Sequence, residues 1–359
     1  MRLRRLLNFT GDRLHTLPLV VLYLTDGCNS RCVACDIWRS PRRNMDMRLV
    51  DLVADECASL QVRWVLLSGG EAMQHPEWPE IGRRLRAQGV HVMLLTNGLL
   101  LRKQIVQVRN SVDEVIVSLD GGTAQTYEAV RGVDAFDLVL DGMREVSMAG
   151  IPVTTRTTVQ RANCHELPQI VRAARDAGAR SISFLAVDVS NPFAFGPRFE
   201  SGNGQTDDGH ARSNVQLFNT TAPSREQVNA LDALLAQMEA EFADEFASGL
   251  IAESPDKLRR TLVQYFGAMH GMNDFDGPRC NAPHFSTVIE VDGKLRPCYF
   301  LPEYGQLSVE SVRGRGALRQ AINANRAFAL RAAYRGGERA ECKRCVCPLY
   351  RGPRALLSM

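Results

Sequence analysis

From Leu17 to about Val187, short β-rich runs alternate with amphipathic helical patterns, and this alternation restricts the fold more than any other feature. The strand candidates are "LPLVVLYLT", "VRWVLLS", "VHVMLLT", "VDEVIVSLD", "IPVTTRTTV" and "RSISFLAVDV". Between them lie helical patterns such as "RLVDLVADECASL", "WPEIGRRLRAQG", "AFDLVLDGMREVSMAG" and "ELPQIVRAARDAG". Three of these end in Gly89, Gly150 and Gly178, the residue type that terminates helices. Strands separated by helices of this length pair in parallel through right-handed crossovers. The fold class is therefore α/β. Six such units suit a partial (β/α)6 TIM-like barrel better than a complete eight-stranded one. Functional residues then belong at the C-terminal ends of the strands.

Four segments are expected: residues 1–16 as a helical extension, 17–190 as the barrel core, 191–279 as a polar lid with linking helices, and 280–359 as a small C-terminal domain. The extension, "MRLRRLLNFTGDR", reads as a helix packed through Leu3, Leu6 and Leu7. The lid, at 190–214, is rich in Gly, Asn, Ser and Asp. A helix then begins at Ser224, with Gln227 placed for a capping box. A second helix is expected over "PDKLRRTLVQYFGAMHG", and a hairpin at Asp292–Gly293.

Hydrophobic residues make up 45% of the 359, enough to build a core without disulfides. The net charge of +3 is too small to imply nucleic acid, and no run has the length of a membrane span. Without an export signal, the ten cysteines suggest a reducing, cytoplasmic setting in which clustered thiols hold metal or catalyse. Cys57 and Cys164 stand alone and read as core residues. Cys28, Cys32 and Cys35 form C-x3-C-x2-C directly after the first strand. Three thiolates can hold three irons of a 4Fe–4S cubane and leave the fourth iron open. Zinc is the competing reading, but it wants four ligands, and this loop adds at best Asp36.

The triplet after the first strand of a partial barrel resembles the radical S-adenosylmethionine (radical SAM) family, over about residues 17–190. In that family the open iron is chelated by SAM, and an electron from the cluster cleaves SAM to a 5′-deoxyadenosyl radical that abstracts a substrate hydrogen atom. The resemblance extends to Gly69-Gly70-Glu71 after the second strand, which implies a site for the SAM amino group. It also covers Thr96-Asn97-Gly98 after the third strand. On the fourth strand Ile116, Ser118 and Asp120 are expected on one face, and the family implies Ser118 and Asp120 near the SAM ribose. Arg156 on the fifth strand suits either the SAM carboxylate or a barrel-closing salt bridge. Backbone near Leu185 is expected beside adenine. Ala34 stands where the family often has an aromatic residue. Ile37 and Trp38 are candidates to take over its packing, or are simply core.

A second group comprises Cys280, Cys298, Cys342, Cys345 and Cys347. Gly293 and Cys298 form a G-x4-C element, and Cys342 and Cys345 a C-x2-C element. The arrangement resembles the SPASM/Twitch extensions of radical SAM enzymes, in the single-cluster Twitch form. It implies an auxiliary 4Fe–4S cluster on Cys280, Cys298, Cys342 and Cys345, with Cys347 spare and four-cysteine zinc as the alternative.

The resulting expectation is a radical SAM oxidoreductase or epimerase acting on a small polar or sugar-like metabolite, with a flavodoxin or ferredoxin as reductant. The short stretch before Leu17 leaves no room for a leader-binding domain, which favours the small molecule. A peptide-modifying maturase is the alternative, and a non-catalytic iron–sulfur or zinc protein ranks third. Dehydrogenation needs a base, for which His284, Tyr299, Asp274, Asp276 and Arg156 are candidates. Epimerisation needs a hydrogen donor such as Cys347, Cys280 or Tyr299.

Overall fold

The computed structural model describes residues 2–191, 214–277, 280–309 and 316–347. The expected six strands form: β1 (Leu19–Thr25), β2 (Trp64–Gly69), β3 (His91–Thr96), β4 (Glu114–Ser118), β5 (Val153–Val159) and β6 (Ser181–Ala186). Three more follow: β7 (Ser286–Ile289), β8 (Lys294–Arg296) and β9 (Gly305–Gln306). They make one open sheet in the order β6-β5-β4-β3-β2-β1-β7-β8-β9.

The helices up to the sixth strand are α1 (Arg2–Leu6), α2 (Met47–Leu60), α3 (Trp78–Ala87), α4 (Ile105–Ser111), α5 (Ala124–Arg131), α6 (Phe136–Met148) and α7 (Leu167–Asp176). Beyond it come α8 (Asn214–Thr221), α9 (Arg225–Glu241), α10 (Ala243–Ser248), α11 (Pro255–Leu258), α12 (Tyr265–Met269), α13 (Ala317–Ala321), α14 (Asn325–Arg335) and α15 (Ala340–Lys343).

The two faces of the sheet differ because strand side chains alternate. Val20, Leu22, Val65, Leu67, Val92, Leu94, Val115 and Val117 point one way and are fully buried. The other face is concave and mixed. It carries Tyr23, Leu66, Met93, Ile116, Ser118, Thr154, Arg156, Thr158 and Leu185, most of them only half-buried.

The C-terminal hairpin is not a separate sheet. β7 pairs in parallel with β1, Leu19 opposite Ser286 and Leu22 opposite Ile289. The four residues of β7 are all buried, so they cover the β1 edge that six strands would leave open. The "DG" signal forms the expected β7–β8 hairpin, with Gly293 at φ +85°. The far edge, on β6, is covered by residues 250–253: Ile182 bonds Leu250 and Ala252, and the Glu253 carboxylate accepts from Phe184 N (2.9 Å) and Ser183 Oγ (3.0 Å). Buried Glu56 on α2 receives the N-terminus of α13, at Leu318 N (2.6 Å) and Arg319 N (3.0 Å). The Ser224–Gln227 capping box forms as expected at the start of α9.

The N-terminal segment packs through different residues from those expected. Arg5 and Asn8 are buried, whereas Leu7 is 37% exposed and Leu6 half-buried. Asn8 Nδ2 reaches the carbonyls of Thr16 (2.9 Å) and His284 (3.0 Å), so polar tethering fixes the segment. The side chain of Leu3 and most of the expected lid lie outside the described residues. Among the described residues, no helix is long and apolar enough to cross a membrane.

Candidate active site

β1 delivers the chain into the loop that carries Cys28, Cys32 and Cys35, all half-buried. Two supports hold this loop. At its base, Gly70 N bonds Thr25 O (2.7 Å) and Glu71 N bonds Gly27 O (2.8 Å). A Cβ on Gly69 would lie 2.4 Å from Thr25 O, and one on Gly70 2.4 Å from Gly27 O. The two glycines thus let β2 close on the root of the cysteine loop itself. The second support is α5. A helix leaves its last carbonyls without internal partners, and here Val130 O accepts from Val33 N and Arg131 O from Arg31 N, both at 3.0 Å. Gly132 ends the helix at φ +68°, tight under the Arg31 carbonyl.

Glu71 is 1% exposed. Its Oε1 accepts from Thr96 Oγ1 (2.8 Å) and Met73 N (3.1 Å), and its Oε2 from Asn97 N (2.7 Å). Burial pushes its pKa up, against these hydrogen bonds. Two carboxylate oxygens offer about four acceptor positions, so Glu71 braces β2 to β3 and keeps capacity for one more donor. Asn97 reaches across to the cysteine loop, donating to Asn29 Oδ1 (2.8 Å) and Ser30 Oγ (3.1 Å).

Ser118 ends β4, half-buried, opposite Arg156 on β5. Asp120 does not share the open face with Ile116 and Ser118, because the strand stops at Ser118. Its carboxylate is buried instead, accepting from Thr158 N (2.7 Å) and Arg131 Nη1 (2.9 Å). Arg156 is exposed on the concave face and has no ion pair among the described residues, so the barrel-closing salt bridge is not formed there. Leu185 is half-buried opposite Thr158. Asp36, weighed as a fourth ligand, pairs with Arg39 at 3.1 Å. Ala34 is half-buried against the core, and the Arg39 guanidinium lies 4.5 Å from the Trp38 ring centre.

Cys280, Cys298, Cys342 and Cys345 come together, each within electrostatic range of Tyr334. Tyr334 donates its hydroxyl to the Cys280 carbonyl. Cys347 lies beside Cys345. Next to Cys298, Tyr299 stacks obliquely on Tyr23 with ring centres 5.8 Å apart, which brings it to the concave face. His284 sits just before β7, at the opposite end of the sheet from Cys28. It is buried near Phe9 and Tyr334. Burial, then the Arg331 and Arg335 charges, bring its pKa down to about 4. Asp274 and Asp276 are exposed. Cys57 and Cys164 are buried as expected.

The thiols suit a metal cluster chemically. Burial raises Cys28 and Cys342 to about 11, and Cys35 and Cys298 to about 12. Without metal these groups stay protonated at neutral pH, and metal binding would displace the protons. Backbone amides two or three residues on already point at the sulfurs: Ser30 N at Cys28 (3.5 Å), Ala282 N at Cys280 (3.4 Å), Ile37 at Cys35, and Phe300 and Leu301 at Cys298. Such bonds stabilise thiolate sulfur in iron–sulfur sites. Among the described residues, no three His, Cys, Asp or Glu side chains converge on a single metal ion. A cubane, which takes one thiolate per iron, does not require that convergence.

Sequence reasoning did not single out Arg131, Asn163 or Tyr334. Asn163 is fully buried, and its Nδ2 bonds Asp120 O and Thr158 O, both at 3.0 Å. No spacing rule links these residues to the cysteines; only the fold brings them together.

The radical SAM superfamily profile matches residues 22–184. An AdoMet-dependent heme synthase of Methanosarcina barkeri is 34% identical over 167 residues, 45% of this chain and 48% of that protein. The mycofactocin maturase MftC of Mycobacterium tuberculosis is 30% identical over 162 residues, 44% of this chain and 41% of that protein. The chain spans about half the length of the curated relatives it matches. Among solved structures, Streptococcus suis SuiB bound to S-adenosylmethionine superposes with TM-score 0.63 at 12% identity, covering 95% of this chain and 75% of SuiB. The anSMEcpe enzyme with bound AdoMet and a peptide gives TM-score 0.60 at 13% identity, covering 92% and 89%. The radical SAM family uses a 4Fe–4S cluster and S-adenosylmethionine. The parallel part of the open sheet, with its cysteine loop after β1, thus carries a radical SAM domain over residues 22–184.

Proposed function

We propose that the chain removes a hydrogen atom from a small polar or sugar-like metabolite held against the concave face of its sheet, and so oxidises or epimerises it. The observation that carries this reading is the pair of cysteine groups: three thiols after β1, and four thiols around Tyr334, one of which, Cys298, adjoins Tyr299, whose ring reaches the same concave face. Bound there, a reduced cluster would supply the electron for reductive cleavage of S-adenosylmethionine, and a second cluster would offer an acceptor for an electron from the substrate. Cys28, Cys32 and Cys35 would hold the first cluster, and Cys280, Cys298, Cys342 and Cys345 the second. Glu71 has one acceptor position left for an ammonium. Arg156 offers a guanidinium for a carboxylate, Ser118 on β4 lies between them, and Leu185 on β6 flanks Arg156 on its other side. Tyr299 is the group best placed to give or take a proton or hydrogen atom. A protein reductant of the flavodoxin or ferredoxin type would supply electrons. Relatives named for heme and for GTP cyclisation favour a small-molecule substrate.

A second reading, peptide modification, is favoured by fold likeness to SuiB, solved with its precursor peptide, over 91% of this chain. One anaerobic experiment tests the shared core. Reconstituted protein, SAM and dithionite are expected to yield 5′-deoxyadenosine, and Cys28→Ala none. Equal yields from both would sink the proposal. Iron analysis is expected to give about eight irons per chain for two cubanes. Added candidate metabolites or peptides that raise the 5′-deoxyadenosine yield then separate the two substrate readings.

A further inference from the structure

We propose that Arg131 is a charge-balancing residue for the three-cysteine cluster, fixed in place by Asp120, and that this pair sets the reduction potential of the cluster. The inference rests on reading Cys28, Cys32 and Cys35 as cluster ligands.

Four observations carry it. First, the Arg131 side chain is 12% exposed and its partner Asp120 4%, with Nη1 2.9 Å from Oδ2. Water therefore screens the pair poorly. Second, Arg131 Nε is buried and has no hydrogen-bond partner among the described residues. A buried guanidinium donor without an acceptor is costly, and an acceptor-rich group beside it would meet that demand. Third, the main chain of Arg131 bonds Arg31 at 3.0 Å, so residue and loop move together. Fourth, the same helix end holds both chain neighbours of Cys32, Arg31 N on Arg131 O and Val33 N on Val130 O, each at 3.0 Å, so Arg131 stands against the turn that carries the thiols. Tyr127 is the other titratable group against the guanidinium.

The consequence follows from charge alone. Three thiolates on a cubane make a net anion that gains one more negative charge on reduction. A fixed cation stabilises the reduced form more than the oxidised one and raises the potential; a fixed anion lowers it. Arg131→Gln should therefore shift the potential down and Asp120→Asn should shift it up. Distortion of the loop has no reason to give opposite signs. With an effective dielectric of about 20, the two variants should differ by at least about tenfold in reduced-to-oxidised ratio at a fixed potential, which is 59 mV for a one-electron couple.

The test is an EPR-monitored redox titration of the reconstituted full chain without SAM. The relevant signal is identified by its change when SAM is then added, and iron is counted for every variant. The expected order of potentials is Asp120→Asn above wild type above Arg131→Gln, with Arg131→Lys close to wild type. Shifts of the same sign, or no shift, in variants that retain their iron would overturn the proposal. So would loss of the cluster in Arg131→Lys as much as in Arg131→Gln, because retained charge would then not matter. If the wild-type protein itself shows no SAM-responsive signal, the cluster assignment fails instead, a result distinct from either.

Discussion

Gly70→Ala is a sensitive probe of the active-site architecture, because the added methyl meets backbone and not a movable side chain. Its Cβ would lie 2.4 Å from Gly27 O, 2.8 Å from Gly27 C and 2.9 Å from Asp26 O. Ordinary contact begins near 3.4 Å, so the two segments must separate by about 1 Å. The Glu71 N to Gly27 O bond is 2.8 Å long. Stretched by that amount it passes beyond hydrogen-bond range. Overpacking costs about 1–3 kcal/mol and a lost hydrogen bond about 0.5–1.5 kcal/mol, so the expected loss is about 2–4 kcal/mol. The displacement falls on Gly27, next to Cys28, and leaves the four-cysteine group untouched. Urea unfolding and iron analysis on one preparation check both parts. The variant should unfold at lower urea and fall from about eight irons toward about four, with the remaining signal insensitive to SAM. Full iron content with less than about 0.5 kcal/mol of destabilisation would refute the view that the glycine pair exists to seat the cysteine loop.

Arg156→Ala should leave stability within about 0.5 kcal/mol, since no partner among the described residues is lost. It should weaken SAM binding tenfold or more if the guanidinium meets the carboxylate, as calorimetry on the anaerobic protein would show. His284 has a folded pKa of about 4, below the unfolded value of about 6.5, so the unfolded chain takes up the proton first as pH falls. Its contribution is complete above pH 6.5 and is lost between about 6.5 and about 4. His284→Phe should flatten that part of the stability profile in urea melts at pH 5 and 7. Tyr334→Phe removes the bond to the Cys280 carbonyl. It should cost about 1 kcal/mol and speed chelator removal of iron from the four-cysteine site only.

The alternation of strands and helices was legible because a parallel sheet buried on its outer face requires it, and Val and Leu at every second position record that face. The hairpin was legible from Asp292–Gly293, but its docking on β1 was not. Hairpin and first strand are more than 260 residues apart, and nothing in "STVI" identifies its partner. The N-terminal segment misled for a related reason. Leucines in a short arginine-rich stretch suggest an apolar face, yet Asn8 can satisfy two carbonyls at once and is buried in their place.

The site divides along the same line. Thiols and strand-end residues are visible because their chemistry and spacing are local. The roles of Glu71 and Asp120 were expected to face a ligand, and in the structure most of their capacity goes inward, to Thr96, Met73 and Asn97 and to Thr158 and Arg131. This is physically coherent. A carboxylate that is to hold one weak ligand bond in a fixed direction must first be immobilised, and in a buried setting only hydrogen bonds to strand ends can do that without leaving the charge unpaired. The same logic explains why α5 matters. Its open carbonyls are the nearest acceptors for the amides of a loop that has no secondary structure of its own, and Arg131 sits at that junction. Docking the loop on a helix C-terminus brings negative dipole to an already anionic site. A buried guanidinium at the last helical residue is the compensation that the electrostatics of that position demand.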